Sequence, residues 1–227
     1  MPQSLPLPWS VALMESEMSE VQLILVLWFV GVLTEAITGA LAAGRNRMDL
    51  FGVVMVACIT AIGGGTVRDI LLGGYPLIWV AHPHYLLAIA LAALMTVAFS
   101  PLMRYLTRLF LTLDALGLTV FSIIGVQKAL SLGHPPLIAI ASGLITGVFG
   151  GILRDLFCQR VPLVFRKELY AMVSLVTAAL YMGLTMAEAS EWLKLAICLP
   201  LGFGLRLLAI RYRWSIPTFD YQEQGVH

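Results

Sequence analysis

The chain has 227 residues, of which 59% are hydrophobic and only 12% are charged, and its formal net charge is +1. A water-soluble domain of this size cannot bury so large a share of apolar side chains, whereas lipid can solvate them. The arginines are dispersed and form no basic tract, so the composition excludes nucleic acid as an expected partner and favours an integral membrane protein.

The predicted elements begin with residues 1–20, which contain no Lys or Arg and so lack the basic start of a signal peptide. We expect them to form a loose external tail. Apolar stretches then follow, each near the roughly 20 residues that a membrane-spanning helix needs. The predicted fold is an all-α polytopic membrane protein with seven transmembrane helices and short connections. The spans are 21–42, 50–73, 84–103, 107–130, 135–158, 168–187 and 191–211.

The sequence repeats itself without a gap at an offset of 86 residues, the distance from Gly64 to Gly150. The matches fall on glycines, prolines and charges, and they include Gly39 with Gly125, Thr60 with Thr146, and Arg68-Asp69 with Arg154-Asp155. Each copy holds three spans, so the second copy enters the membrane upside down, as in many transport proteins. We divide the chain into repeat 1 (21–104), repeat 2 (105–190), an appended seventh helix (191–213) and a tail (214–227).

The charged loops predict the orientation in the membrane, because positive residues mark the cytoplasmic side. One side holds only Lys128 and Lys194, and the loop 74–83 has no Lys or Arg. We therefore expect the N-terminus outside and the C-terminus in the cytoplasm. The opposite side holds Arg45, Arg47, Arg104, Arg108, Arg160, Arg166, Lys167, Arg211 and Arg213.

Glycines at corresponding places in the second and fifth spans are the first candidate for a functional site. They are Gly63, Gly64 and Gly65 in one copy and Gly150 and Gly151 in the other, where Phe149 replaces the first glycine of the triplet. Consecutive glycines destabilise a helix. Free backbone groups at membrane depth are tolerated only against protein or a wet cavity. We predict that both helices break here and line an ion pathway at the repeat interface.

Helix packing is the alternative role for part of this pattern. Ala57, Ala61 and Gly65 form a stripe of small residues at four-residue spacing, and Gly143, Gly147 and Gly151 form the matching stripe. Such stripes allow helices to approach closely. Gly63, Gly64 and Gly150 lie off the stripes, and for these we favour a break.

Charged residues within the spans are the second candidate. A charge in the membrane is costly and is normally paired and functional. Arg68, Asp69, Arg154 and Asp155 follow the glycines in the two copies. Neighbours on a helix point about 100° apart, so we expect each arginine to reach freed carbonyls or the aspartate of the other repeat. A pathway role and a structural role both remain open and are compatible.

Glu35, midway along the first span, breaks the repeat because Phe121 stands at the equivalent position. It is either a carboxylate that attracts a cation or a protonated structural acid. Asp114 and Arg206 are further charges inside spans. The three cysteines lie in or beside apolar segments without a CxxC pair, so we predict no metal site and no cofactor. No third glycine follows Gly63-x-Gly65, and there is no Walker lysine or GxSxG, so we predict no enzyme activity.

The paired motifs Gly63–Leu71 and Gly150–Asp155 resemble those of the bacterial branch of the trimeric intracellular cation (TRIC) channels, a family also described as YadS/YicG-type "glycine transporter" inner-membrane proteins. The resemblance covers about residues 21–213. It implies a homotrimer in the inner membrane, with a pore through each protomer between the second and fifth spans. It also implies passive conduction of monovalent cations, chiefly potassium, with sodium as a second candidate ion. The rival function is secondary transport of a small solute such as glycine, with Arg68 or Arg154 binding its carboxylate.

Overall fold

The computed structural model describes residues 8–100, 106–166 and 169–214. Within these ranges the chain forms nine helices and no strand. Seven are long, and the short helices α3 and α7 lie in the loops that precede α4 and α8. The helices are α1 (Pro8–Arg45), α2 (Leu50–Leu72), α3 (Ile78–Ala81), α4 (His84–Phe99), α5 (Leu106–Ser131), α6 (Pro136–Phe157), α7 (Leu163–Arg166), α8 (Tyr170–Met186) and α9 (Glu191–Tyr212).

The seven long helices match the seven predicted spans in order, which confirms an all-α polytopic membrane protein. In the described part of the chain, five helical stretches are long and apolar enough to cross a membrane, namely Gln22–Arg45, α2, Thr107–Ser131, α6 and α9. The helices α4 and α8 are apolar but shorter, with 16 and 17 residues. The ends predicted for their spans near 101–103 and at 168 lie outside the described residues.

Local signals explain where the helices begin and end. The Asp49 carboxylate accepts a hydrogen bond from the amide of Gly52 at 2.8 Å and so caps the start of α2. Gly73 ends this helix in the left-handed conformation, with φ of 69°. Pro136 stands in the first turn of α6, where its missing N–H costs nothing.

One boundary differs from the prediction. The helix α1 starts at Pro8, so residues 8–20 extend the first span as a helix instead of forming a loose tail. No proline or glycine stands between Pro8 and Gly31 to end a helix once it has begun. Residues 1–7, the repeat boundary at 104–105, Lys167 and the tail from residue 215 lie outside the described residues.

The predicted breaks in α2 and α6 are wrong. Both helices run without interruption through their glycines, and among the glycines of the described residues only Gly73 and Gly133, outside both helices, have positive φ. The physical reason is close contact between the two helices. A Cβ atom at Gly64 would overlap the carbonyl oxygen of Thr146, and one at Gly150 would lie 2.6 Å from the carbonyl oxygen of Thr60. The missing side chains let two backbones touch without bending either helix.

These contacts also fix the relative direction of the repeats. Thr60 lies against Gly150 and Gly64 against Thr146, so residue numbers rise along α2 as they fall along α6. Equivalent helices of the two repeats therefore run antiparallel, as inverted repeats require. Exchanging the repeats at the offset of 86 residues converts one contact into the other, which is the signature of a two-fold relationship. Consequently Arg68 and Arg154, near the C-terminal ends of α2 and α6, lie toward opposite ends of the bundle.

The helix contacts within each repeat follow the same rule. A Cβ atom at Gly39 in α1 would lie 2.7 Å from Cα of Ala57 in α2. A Cβ atom at Gly125 in α5 would lie 2.7 Å from Cα of Gly143 in α6. The small residues thus allow α1 to pack on α2, α5 on α6 and α2 on α6, which places the functional candidates at the centre of the bundle.

Candidate functional site: two arginines at opposite ends of the repeat interface

Arg154 in α6 is completely buried and is surrounded by acidic side chains. Its Nη1 donates to Asp114 Oδ1 in α5 at 2.6 Å, and its Nε donates to Asp155 Oδ1 at 3.0 Å. The same Nη1 lies 4.0 Å from Oε2 of Glu35 in α1. Glu35 comes from repeat 1, so this cluster joins the two repeats. Three carboxylates around one guanidinium leave an excess of acidic groups in a nearly dry interior.

Aromatic rings and hydroxyl groups complete the surroundings of Arg154. Its guanidinium carbon lies 4.7 Å from the centre of the Phe110 ring, and Tyr170 donates its hydroxyl to Asp114 Oδ1 at 3.4 Å. Thr38 donates its hydroxyl to Glu35 Oε2 at 3.0 Å. We call these residues the Arg154 cluster; they are Glu35, Thr38, Phe110, Asp114, Arg154, Asp155 and Tyr170.

The seventh span reaches the cluster indirectly. The guanidinium of Arg206 in α9 lies over the Tyr170 ring, with its carbon 4.5 Å from the ring centre. Such a cation–π contact stabilises a buried arginine and restricts the ring. The appended helix therefore helps to hold Tyr170 against Asp114.

At the other end of the interface, Arg68 has a simpler environment. Its Nε donates to Asp69 Oδ1 at 2.8 Å, and its Nη2 lies 2.8 Å from the same oxygen. The expectation that these neighbours cannot pair is wrong, as is the expectation that each arginine needs the aspartate of the other repeat. The reason is the length of the arginine stem, which lets the guanidinium curl back to the adjacent carboxylate. Arg154 reaches Asp155 in the same way.

A cavity of about 530 Å³ opens beside Arg68. Lys128, Gln127, His82 and aromatic side chains contribute to its wall. We call it the Arg68 cavity; its lining residues are Ile24, Leu25, Trp28, Arg68, Asp69, Tyr75, Pro76, Ile78, Ala81, His82, Tyr85, Ile124, Gln127, Lys128 and Ser131. His82 is thus part of a candidate site.

A second, much smaller void shares the lining residues Trp28, Arg68, Ile78 and Ile124 with the Arg68 cavity. Its volume is about 20 Å³, which is near the size of one water molecule. Gly65 and Arg68 of α2 line it together with Thr146 of α6 and Phe121 of α5. Helix α2 therefore borders both the cavity and the smaller void, whereas α6 lines only the smaller void, through Thr146.

The predicted site residues thus fall into three places. Gly64 and Gly150 lie at the helix crossing, and Gly63 faces Leu153, whose Cδ1 would lie 2.7 Å from an added Cβ. Gly65 faces the guanidinium group of Arg68, and Gly151 faces the hydroxyl of Tyr170 and the guanidinium group of Arg154, so neither meets a neighbouring backbone. The stripe residues Ala57, Ala61, Gly143 and Gly147 are placed at helix contacts, all of them buried.

Sequence reasoning missed Phe110, Tyr170 and Trp28. One signal was available, because the offset that pairs Arg68 with Arg154 also pairs Trp28 with Asp114 and His84 with Tyr170. These departures from the repeat lie where the surroundings of Arg68 differ from those of Arg154. Among the described residues, no group of three or more His, Cys, Asp and Glu side chains is arranged to hold a metal ion.

Comparison with known proteins gives a consistent result. The family model described as "Glycine transporter" matches twice, at residues 25–101 and 111–186, so the two matches start 86 residues apart (111 − 25). The inner membrane protein YadS of Escherichia coli is 38% identical over 209 residues, which cover 88% of this chain and 99% of YadS. A membrane protein of Vibrio cholerae is 40% identical over 195 residues, which cover 83% of this chain and 80% of that protein.

Two solved structures have the same fold. One is the TRIC trimeric intracellular cation channel orthologue from Rhodobacter sphaeroides, with a TM-score of 0.81 and 37% identity, covering 84% of this chain and 98% of that one. The other is from work titled "Structural basis for conductance through TRIC cation channels". It has a TM-score of 0.77 and 30% identity, covering 87% of this chain and 98% of that one.

Proposed function

Because the chain belongs to the glycine transporter family of YadS-type membrane proteins and to the TRIC channel fold, we propose that it is a passive cation channel of the bacterial inner membrane. It conducts monovalent cations, chiefly potassium, without a co-substrate. It assembles as a homotrimer, and each protomer contains its own pore. Conduction needs no catalytic group and no cofactor.

The observation that carries this proposal is the excess of carboxylates at the repeat interface. Glu35, Asp114 and Asp155 surround the single guanidinium of Arg154 in a part of the protein that water hardly reaches. A carboxylate in low dielectric attracts a cation far more strongly than it does in water. The cluster is therefore suited to lower the energy of a cation that has lost part of its hydration shell.

The proposed pathway follows α2 and α6. It runs from the Arg68 cavity through the small void at Gly65 and Thr146 to the Arg154 cluster. In this proposal Gly64 and Gly150 act through close helix approach, Gly65 lines the void, and Gly63 and Gly151 lie beside side chains of the pathway. Arg68 with Asp69 and Arg154 with Asp155 form the two charged ends of the pathway.

The described conformation corresponds to a closed pore. The void between the two charged ends holds about 20 Å³, too little for a hydrated cation, and the Arg154 cluster fills the far end. Opening requires the Nη1 of Arg154 and Oδ1 of Asp114 to separate from their 2.6 Å contact. This separation would leave the carboxylate of Asp114 free to face the cation.

Flux into liposomes tests the proposal. Purified protein, reconstituted at a known protein-to-lipid ratio, should dissipate a potassium gradient when a protonophore balances charge. Protein-free liposomes give the baseline, and a potassium ionophore gives the maximum. Reconstituted trimers that leave the gradient at the protein-free baseline, across both signs of membrane potential, contradict the proposal.

Secondary transport of glycine is the alternative, and the Arg68 cavity is the observation that favours it. Its volume falls in the range of small-molecule sites, and Arg68 lines it. Single-channel recording beside uptake of radiolabelled glycine decides between the two. Unitary currents well above ~10³ ions per second exceed typical enzyme-like turnover and support the channel. Saturable glycine uptake without unitary currents supports the transporter.

The proposed orientation has the N-terminus outside and the C-terminus in the cytoplasm. The Arg68 cavity then opens to the outside, and the Arg154 cluster lies toward the cytoplasm. A fluorescent protein that matures only in the cytoplasm, fused after residue 227, should fluoresce in cells. Fluorescence from a fusion at residue 1 instead would reverse the orientation.

A further inference from the structure

The two equivalent arginines differ in the number of carboxylates that they contact. Arg154 donates to Asp155 and also to Asp114. The residue that corresponds to Asp114 in repeat 1 is Trp28, whose side chain is uncharged. Within the described ranges, the ion pair recorded for Arg68 is the one with Asp69. Repeat 1 therefore keeps the arginine of this arrangement but has lost one of its anions.

The donors of Arg68 are unequally used. Its Nε and Nη2 both contact Oδ1 of Asp69. Its Nη1 makes no hydrogen bond to any of the residues that the structure describes. In Arg154 the Nη1 is the atom that holds Asp114. The donor that binds the second carboxylate in repeat 2 is thus the one left over in repeat 1.

The surroundings of Arg68 are more open than those of Arg154. In repeat 2 the Phe110 ring closes over the guanidinium at 4.7 Å. Its counterpart in repeat 1 is Ile24, which lines the Arg68 cavity together with Trp28. Where the second repeat is sealed by its own side chains, the first repeat has a cavity of about 530 Å³.

The chemistry of the wall defines the class of ligand. Lys128 adds a second positive group to that of Arg68, against the single carboxylate of Asp69. Trp28 and Tyr85 form an aromatic wall, with ring centres 4.4 Å apart. We propose that the Arg68 cavity binds a small organic carboxylate, whose carboxylate group lies beside Arg68 as that of Asp114 lies beside Arg154. The apolar part of the ligand packs on Trp28 and Tyr85.

This site is independent of whether the chain conducts cations, because binding is measured on the protein in detergent without a gradient. The probe is benzoate, which carries one carboxylate and a ring for the aromatic wall. Benzylamine is the size-matched cation, and inorganic phosphate is the anion of different shape. Isothermal titration calorimetry should detect saturable binding of benzoate alone.

Two variants test the position of the ligand. Arg68→Gln removes the donor, and we expect benzoate to bind about tenfold or more weakly, since a hydrogen bond between charged partners is lost. Trp28→Asp places a carboxylate beside Arg68, where Asp114 lies in repeat 2, and also removes part of the aromatic wall, so it should abolish benzoate binding. The matched control is Arg160→Gln, because Arg160 is exposed at the other end of the bundle, where it donates to Asn46.

The site can still be tested if Arg68→Gln does not fold, because Trp28→Asp retains Arg68 and changes a different residue of the cavity. Loss of benzoate binding in the folded variants, with parental affinity in Arg160→Gln, supports the site. Absence of saturable benzoate binding to the parent protein overturns it. Parental affinity in Trp28→Asp, or equal affinity for phosphate, overturns the assignment of a carboxylate beside Arg68.

Discussion

Gly64 of α2 lies directly against the carbonyl oxygen of Thr146 in α6, so closely that no side chain fits between the two backbones. The same relationship holds with the repeats exchanged, between Gly150 and Thr60. The helix pair at the centre of the protein is thus held by backbone contact at two equivalent points.

The first prediction compares neighbouring glycines. Gly64→Ala should lower the thermal unfolding temperature and disturb assembly, because its Cβ overlaps a main-chain atom that cannot move away cheaply. Gly65→Ala should leave the unfolding temperature near that of the parent, because the nearest atom to its Cβ is the flexible Arg68 side chain at 3.6 Å. Thermal unfolding in detergent and size-exclusion chromatography measure both. Equal stability of the two variants would contradict the assigned helix crossing.

Gly150→Ala provides the repeat-related test. Its Cβ would meet the carbonyl oxygen of Thr60 at 2.6 Å, so we expect a loss of stability similar to that of Gly64→Ala. Gly183→Ala is the control, because no atom lies within 4 Å of a Cβ at that position. A Gly150→Ala protein as stable as Gly183→Ala would show that the two crossing points are not equivalent.

The third prediction concerns the buried ion pair. Asp114→Leu leaves the guanidinium of Arg154 without its shortest partner and should destabilise the fold by about 3–5 kcal/mol, the usual result of breaking a buried pair. The double variant Asp114→Leu with Arg154→Met should recover much of this loss, because the buried charge is removed as well. Denaturation in mixed micelles measures the free energy of unfolding of the parent, the two single variants and the double variant. If the double variant is as unstable as the sum of the single variants, the two side chains do not act as a pair.

The fourth prediction tests Glu35 as part of the ion pathway. Glu35→Gln keeps the shape of the side chain and a polar group for Thr38, but removes a carboxylate from the Arg154 cluster. We expect potassium flux in liposomes to fall several-fold while the protein remains trimeric. The control Glu188→Gln removes an exposed carboxylate. Parental flux in Glu35→Gln would remove this residue from the pathway.

The fifth prediction separates the two contacts of Tyr170. Tyr170→Phe removes the hydroxyl that donates to Asp114 but keeps the ring under Arg206, whereas Tyr170→Leu removes both. The hydrogen bond is long, at 3.4 Å, so Tyr170→Phe should cost about 1 kcal/mol or less, and Tyr170→Leu clearly more. Thermal unfolding compares them. If both variants lose the same stability, the stack on Arg206 contributes nothing.

The sequence was sufficient for the helices and the inverted repeat, because apolar length and the offset between Gly64 and Gly150 are properties of the chain alone. It was misleading about what the glycines do. A glycine can bend a helix or let another backbone approach it, and only the position of Thr146 decides between these roles. The pairing of Arg68 with Asp69 was also beyond prediction from helical angles, since the flexible stem and not the Cα direction sets where a guanidinium lies.

The cluster around Arg154 required the tertiary structure, since Glu35, Asp114 and Tyr170 come from three different helices. Each appears in the sequence as an isolated polar residue in an apolar stretch. The exchange of Trp28 for Asp114 is visible in the sequence. Its effect on the two arginines can be seen only in the structure, where Asp114 accepts a hydrogen bond from Arg154.

The exchange of Trp28 for Asp114 is one of the differences between the repeats that make the two faces of the protein unlike. A bundle of two identical inverted halves looks the same from either face of the membrane, and a passive pore through it would carry equal currents at equal and opposite voltages. Here one face presents an open, net positive cavity and the other a sealed, acidic cluster. With the same potassium concentration on both sides, the current should therefore rectify, and Trp28→Asp, which makes the halves more alike, should bring the current–voltage curve closer to a straight line.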